Sequence, residues 1–422
     1  MAYECIREGD AWLFAFPDHG VGLALDALSE NRRDGIRAEI TIQLLDQQGL
    51  AGGHVHGPAA FNLTSTSGRQ NLIRYLATRD GMIPWTDLLE VACARCSREW
   101  RAGSPAVDLS TVVVPPGSRH LIYPLLPANE TTILYGPGGS QKSTIALATA
   151  VAVAAGLLLP GMRPPDSPAH VGYLDWESNE VEHAERLQWL SAGLGLAEPP
   201  HIMYRQMFRG IADDVSAVKA LRDRLKLDYI IYDSLAGACA GDLNDGEVAV
   251  RTLSAMRQVG GTRLVIAHVN AEAAASQGGA SKPYGSIFFV NYGRSLWEVR
   301  AGEDNTPEGD ESERVVGLFH RKVNRGRLHR PISLAVCWLA GGSVRLIPVD
   351  LGADPTVAAH SSLNHRIREL LRRKGRTVAW LAEQLDSTPK SIDGTLRRMS
   401  DVQTIGPPVR GVETVWGLRS YG

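Results

Sequence analysis

The chain has 422 residues, 44% hydrophobic and 21% charged, with a formal net charge of −2. That length exceeds one ordinary domain, so two or three are expected. The near-neutral balance excludes a globally cationic surface, leaving local basic patches for any nucleic-acid contact. No apolar run is long and charge-free enough to span a bilayer.

The longest candidate, residues 145–159, is Ala-rich and follows a phosphate-loop pattern, so it reads as a buried helix. The first ten residues carry acidic side chains where a secretion signal needs a basic and then an apolar run, so a cytoplasmic protein is expected. Five cysteines do not form a disulfide framework. Cys93 and Cys96 make a lone CxxC inside a helical pattern, where two small helix residues explain them better than zinc or redox chemistry.

The expected fold class is α/β: an ATPase core between a mixed α+β block and a small C-terminal helical block. The boundaries fall at 1–116, 117–355 and 360–422. In the first block, short apolar runs alternate with charged turns up to about residue 45, predicting strands of an antiparallel sheet. Residues 69–103 then read as helical, with Pro84 interrupting them. No catalytic constellation is visible there. The segment TVVVPPGSRH closes the block, because paired prolines interrupt both helix and sheet.

The second block alternates strands and helices, as in a parallel sheet with covering helices. Buried strands are predicted at TTILYG, HVGYLDWE, DYIIYDS and RLVIAHV, with helices at VEHAERLQWLSAGL and SAVKALRDRLK. VVGLFHRKVN, PISLAVCWL and VRLIPVD read as antiparallel strands closing the sheet edge, after an acidic loop over residues 302–313.

TTILYG, a glycine-rich turn and a helix start form the context a Walker A loop requires. Gly136, Pro137, Gly138, Gly139, Ser140, Gln141, Lys142, Ser143 and Thr144 would cradle the phosphates with backbone N–H groups and a helix N-terminus. Lys142 would reach the β- and γ-phosphates, and Ser143 would offer a hydroxyl to Mg²⁺. Gln141 stands where the last glycine of GxxxxGK[ST] is expected. Helical angles are predicted for it, and with them retained nucleotide binding.

Asp233, ending DYIIYDS, suits a carboxylate that holds Mg²⁺ through water. Asp175 and Glu177 end VGYLDWES, and hydrolysis needs one carboxylate to orient a water in line with the γ-phosphate. Glu177 is favoured over the deeper Asp175; the bland alternative is that both cap the helix beginning near Ser178. His268 ends RLVIAHV, where it could meet the γ-phosphate or the attacking water. The stretch NAEAAASQGGAS is small and polar, suiting a loop that faces a ligand or partner. Arg294 is the first candidate for a cation that stabilises transition-state charge at a neighbouring subunit's site, with Lys282 second; the alternative for Arg294 is a surface pair with Glu298.

Lys142, Glu177, Asp233, His268 and Arg294, in these strand contexts, resemble the RepA-like hexameric helicases of the RecA/DnaB superfamily, whose domain is often labelled AAA_25. The phrase IIYDSLAGACAGDLND is similar to that family's acidic strand and following loop, here Gly241, Asp242, Asn244 and Asp245. The resemblance covers the middle block. It implies a RecA-like core in which the catalytic glutamate follows the strand next to the phosphate-loop strand. It also implies ATP and Mg²⁺ bound between protomers of a homo-oligomeric ring, usually a hexamer, and single-stranded DNA threaded past loops such as residues 271–282.

The last block is locally basic. Residues 362–375 read as one helix and TVAWLAEQLDSTPKSIDGTLRRMS as two more, the second starting at Pro389, followed by a hairpin. That order suggests a winged helix-turn-helix whose second helix presents Lys390, Ser391, Asp393, Thr395, Arg397 and Arg398 to duplex DNA, with Arg410 on the wing. Many such modules bind protein instead. Three functions remain open: a DNA helicase of a plasmid, phage or other mobile element, an ATP-switched DNA-binding or loading protein, and a defence or signalling NTPase that uses the ring as a scaffold.

Overall fold

The computed structural model describes the chain except residues 1, 9–10, 32, 47–50, 104–105, 115–118, 276–277, 304–310, 407–412 and 420–422. Arg410, most of the acidic 302–313 loop and the paired prolines at 115–116 therefore lie outside the described residues. Two compact units divide the chain, Met1–Pro116 and Gly117–Gly422.

The first unit is an antiparallel meander of β1 (Glu4–Glu8), β2 (Ala11–Phe16), β3 (Val21–Asn31), β4 (Gly35–Leu45) and β5 (Ala51–Asn62), followed by α1 (Thr66–Arg79) and α2 (Trp85–Ala102). Alternation in AWLFAF buries Trp12, Phe14 and Phe16, as expected when one sheet face meets helices. Ser65 caps α1 through the Gly68 N–H, and Pro84 sits at the cap position of α2. Cys93 and Cys96 both point into this core, where burial pushes each thiol up to about 12. Their helical spacing thus serves packing.

The second unit opens with the short β6 (His120–Ile122) and β7 (Leu126–Pro127). Then come β8 (Thr131–Gly136), α3 (Lys142–Ala155), β9 (Val171–Asp175), α4 (Glu180–Gly193), β10 (Ile202–Gln206), α5 (Val215–Leu225), β11 (Tyr229–Asp233), α6 (Leu235–Ala238), α7 (Gly246–Val259) and β12 (Thr262–His268). After the short α8 (Ala271–Ala275) and α9 (Ile287–Tyr292), the antiparallel edge follows in β13 (Ser295–Ala301), β14 (Ser312–Val323), β15 (Ile332–Leu339) and β16 (Ser343–Pro348).

Among the described residues these make one nine-stranded sheet, ordered β10-β9-β11-β12-β8-β13-β14-β15-β16. Strands β10 to β13 are parallel; β14 to β16 run antiparallel. β8 sits centrally and every one of its residues is buried, which is why it reads as an unbroken apolar run rather than an alternating one. Helix α3 is Ala-rich and buried over most of its length, so it packs close against the sheet. Gly136 must be glycine: a Cβ there would lie 2.2 Å from the Val299 carbonyl oxygen.

β9 follows β8 along the chain, but β11 and β12 lie between them in the sheet. The expectation that the glutamate-bearing strand neighbours the phosphate-loop strand is thus corrected. The crossovers carry β9 beyond β12 and β11, and its end reaches back towards the loop.

The C-terminal part comprises α10 (Pro355–Ala359), α11 (Leu363–Arg373), β17 (Arg376–Thr377), α12 (Val378–Gln384), α13 (Pro389–Arg398), β18 (Val402–Ile405) and β19 (Val415–Leu418). The three strands form a sheet ordered β17-β19-β18, and the helices pack on it around Ile367, Leu381, Ile392 and Leu396. Among the described residues no helix is long and apolar enough to cross a membrane.

Candidate functional site

Strand register assembles the site. Asp233 pairs with Asp175 across β11 and β9, and His268 pairs with Gly136 across β12 and β8. Four strand ends therefore stand side by side at the carboxyl edge, where open α/β sheets bind ligands. A cavity of about 360 Å³ opens there, lined by residues 139–144 with Asp175, Glu177, Asp233 and His268. A second, of about 310 Å³, meets the loop from its other side through Gly139 and Ser140, with Arg300 and His360 on the far wall.

Lys142 is 5% exposed and its Nζ donates to the Pro137 carbonyl at 2.6 Å. Burial lowers its pKa to about 8, partly offset by Asp233 and Glu177. A triphosphate would hold the ammonium protonated, so binding above pH 8 takes up a proton. Nucleotide affinity is expected to be flat below pH 7.5 and to weaken above pH 8 by up to about tenfold per unit. Calorimetric titrations in buffers of different ionisation heat would read the uptake, and flat affinity to pH 9.5 would disprove it.

Gln141 does not take the helical angles expected from its sequence position. Its φ is 65° and ψ 22°, the left-handed conformation the consensus glycine exists to supply. Its side-chain Oε1 accepts from Thr144 Oγ1 at 2.9 Å, which helps hold the turn. A β-branched residue has no such compensation. Gln141→Val is expected to cost about 1–2 kcal/mol of stability, whereas Gln141→Gly stays within about 1 kcal/mol of wild type. Denaturant unfolding tests both, and a tolerated valine would mean the turn can relax.

The two acidic strand ends differ in how they are used. Asp175 is buried and spent on structure: it accepts from the Glu177 and Ser178 N–H groups at 3.0 and 3.1 Å and from the Tyr204 hydroxyl at 2.9 Å, and lies 3.2 Å from His183 Nε2. Burial opposes its charge, but these partners together keep its pKa below the usual range. Glu177 is half-exposed; it accepts from Ser234 Oγ and lies 3.7 Å from His268 Nε2. The His268 contact, ahead of Ser234, keeps Glu177 more acidic than an ordinary glutamate. Asn179, not either carboxylate, caps α4.

Asp233 is 3% exposed, and its Oδ2 accepts from the Tyr173 hydroxyl at 2.6 Å. Its Oδ1 is buried without a hydrogen-bond partner. Burial raises its pKa, against the Tyr173 hydrogen bond and the nearby Ser143 hydroxyl. An orphaned carboxylate oxygen beside the Ser143 hydroxyl fits a hydrated Mg²⁺. Among the described residues no group of three or more His, Cys, Asp or Glu is placed to hold a metal by itself, so the ion would depend on the nucleotide's phosphates as well. Tyr173, His183 and Ser234 carry no motif signal; only the register reveals them.

Arg294 stands at the opposite end of the sheet. Its N–H bonds the Thr131 carbonyl at 2.9 Å, at the start of β8, and its side chain is 49% exposed. The expected alternative pair with Glu298 is corrected: Arg294 Nε faces Glu130 at 3.6 Å. Glu298 is fully buried between Arg300 and Arg321, four residues of extended strand and so roughly 13 Å along the sheet from Arg294. Lys322, which motif reasoning did not single out, donates to the carbonyls of Val290, Asn291 and Gly293 at 2.6, 2.9 and 2.8 Å. It thereby fixes the turn that carries Arg294. Lys282, the second candidate, is exposed.

The 271–282 segment is tethered over part of its length. Gly279 O lies 3.1 Å from His360 Nδ1, and Ser281 Oγ donates to Glu298 at 2.6 Å. In the loop after β11, Asp242 and Asn244 bond each other and Asp245 caps α7, so these residues shape a turn. On α13, Lys390, Arg397 and Arg398 are exposed, but Thr395 is 5% exposed and belongs to the core, correcting its expected place on the outer face. At helical spacing Thr395 shares the inward face with Ile392.

This sheet, with its phosphate loop and ordered strand ends, defines a RecA-like P-loop ATPase core. Such domains generally bind ATP with Mg²⁺. A family model described as an AAA domain, AAA_25, matches residues 98–274. A KaiC-like protein from the hyperthermophilic archaeon Pyrococcus horikoshii OT3 superposes with a TM-score of 0.37 at 15% identity, over 55% of this chain and 96% of that one. No curated protein matches the chain.

Proposed function

We propose that the chain is an ATP-hydrolysing DNA-binding protein, a ring-forming helicase of the replicative type. The carrying observation is the division of the site across the sheet. Lys142, Glu177, Asp233 and His268 gather at one end, while the exposed Arg294 stands at the other, beside Thr131. Arg294 cannot serve its own phosphate loop, so a homo-oligomer, hexameric in the family it resembles, would complete each site with the neighbour's arginine.

The DNA part is supported by the C-terminal elements. Their order, with α12 and α13 followed by the β18–β19 hairpin, suits a winged helix, and Lys390, Arg397 and Arg398 would meet phosphates. A second reading, an ATP-operated switch without unwinding, draws on the His360–Gly279 contact. It ties the segment after His268 to the start of the C-terminal part. ATP turnover with and without single-stranded DNA, then strand displacement on a forked duplex, tests the proposal. Stimulated turnover and unwinding are expected; neither would sink the helicase and leave the switch.

A further inference from the structure

We propose that the cavity between the β14–β15 turn and the start of α11 seats a phosphate group of a nucleic-acid backbone, at a site separate from the face of α13. The cavity measures about 270 Å³, and Arg321, His329, Arg330, Ser362, His365 and Arg368 line it without a carboxylate. Two of its guanidiniums are committed. Arg321 bonds Glu298 at 2.6 Å, and Arg368 holds Asp401 through Nε and Nη2 at 2.5 and 3.1 Å. Arg330 is exposed and makes no ion pair with a carboxylate among the described residues.

The turn itself reads NRGRLHRP, with Arg325 and Arg327 also exposed and no acidic residue. Ser362 caps α11 by accepting the His365 N–H at 3.3 Å, so the positive end of an eleven-residue helix borders the cavity. Burial first, and then Arg372, Arg368 and Arg330, lower the pKa of His365 to about 4, even with Glu369 Oε1 3.5 Å from its Nε2 and Asp350 nearby. The site therefore combines a positive potential with a pocket and an unspent guanidinium. A single inorganic phosphate would occupy the pocket and leave Arg325 and Arg327 unused. A chain of phosphates uses all three arginines, and for that reason the backbone is favoured.

This inference rests on the nucleic-acid part of the proposed function, and its test separates the two. A labelled single-stranded oligonucleotide is titrated onto the full chain at several salt concentrations. The variants are Arg325→Ala/Arg327→Ala/Arg330→Ala and, separately, Lys390→Ala/Arg397→Ala/Arg398→Ala. The turn variant is expected to bind at least tenfold more weakly, with a salt slope shallower by about 0.7 for each phosphate no longer neutralised; the α13 variant should keep the turn's contribution. Melting temperatures serve as the fold control. An unchanged slope in the turn variant overturns the proposal. If wild type binds no oligonucleotide, yet inorganic phosphate raises its melting temperature and not that of the turn variant, the backbone source is overturned and a free-phosphate site remains. If neither ligand responds, the proposal fails altogether.

Discussion

Replacing Glu177 with glutamine is expected to lower ATP turnover by about 10²–10⁴-fold while leaving nucleotide affinity close to wild type. The substitution preserves shape and removes the negative charge that could polarise a water. Glu177 is suited to that work because its partners do not consume it: Ser234 and His268 touch one carboxylate oxygen, Oε1. Asp175, two residues earlier, is buried under backbone and tyrosine hydrogen bonds. Asp175→Asn should therefore act mainly on stability, read as a lower melting temperature. If Glu177→Gln retains wild-type turnover in single-turnover measurements, the assignment fails.

Arg294→Ala is expected to cut turnover by about 10³–10⁵-fold, again with little loss of binding. A loss of that size would follow if, as proposed, Arg294 meets charge developing on the transferred phosphoryl group in a neighbour's site. The loss should also be repairable. Each variant chain spoils a different half of the site, so mixing Glu177→Gln with Arg294→Ala protomers creates some interfaces with both groups intact. Turnover of the mixture should exceed that of either variant alone. Mixed assemblies as inactive as their parents would refute a site shared between chains. Full activity of Arg294→Ala alone would show that the arginine only pairs with Glu130, 3.6 Å from its Nε.

The phosphate loop is legible because its signals are local: a strand buried on both faces, a glycine turn and an Ala-rich helix are adjacent in the chain. The same holds for Pro389 at the first position of α13 and for Pro84 before α2. β10 is not legible, because its residues, IMYRQ, form a half-buried edge strand with no clean pattern. Gln141 departs from expectation because residue type alone favours right-handed angles, whereas the loop must turn left at that position. Glu298 does too, because four residues of extended strand set it roughly 13 Å from Arg294, so each finds its partner elsewhere.

By itself, then, the sequence determined the main core strands and several of their covering helices, and that a phosphate-binding loop with acidic strand ends lies in the middle of the chain. Period, glycine placement and caps act over a few residues, so composition and spacing suffice. The tertiary structure alone decided which side chains meet. It set Asp233 beside Asp175 and His268 beside Gly136, gave Glu177 its contacts with Ser234 and His268, and sent Arg294 to the far end of the sheet. Those pairings depend on strand order and register, which arise from burying two sheet faces at once, and no short window of sequence carries that constraint.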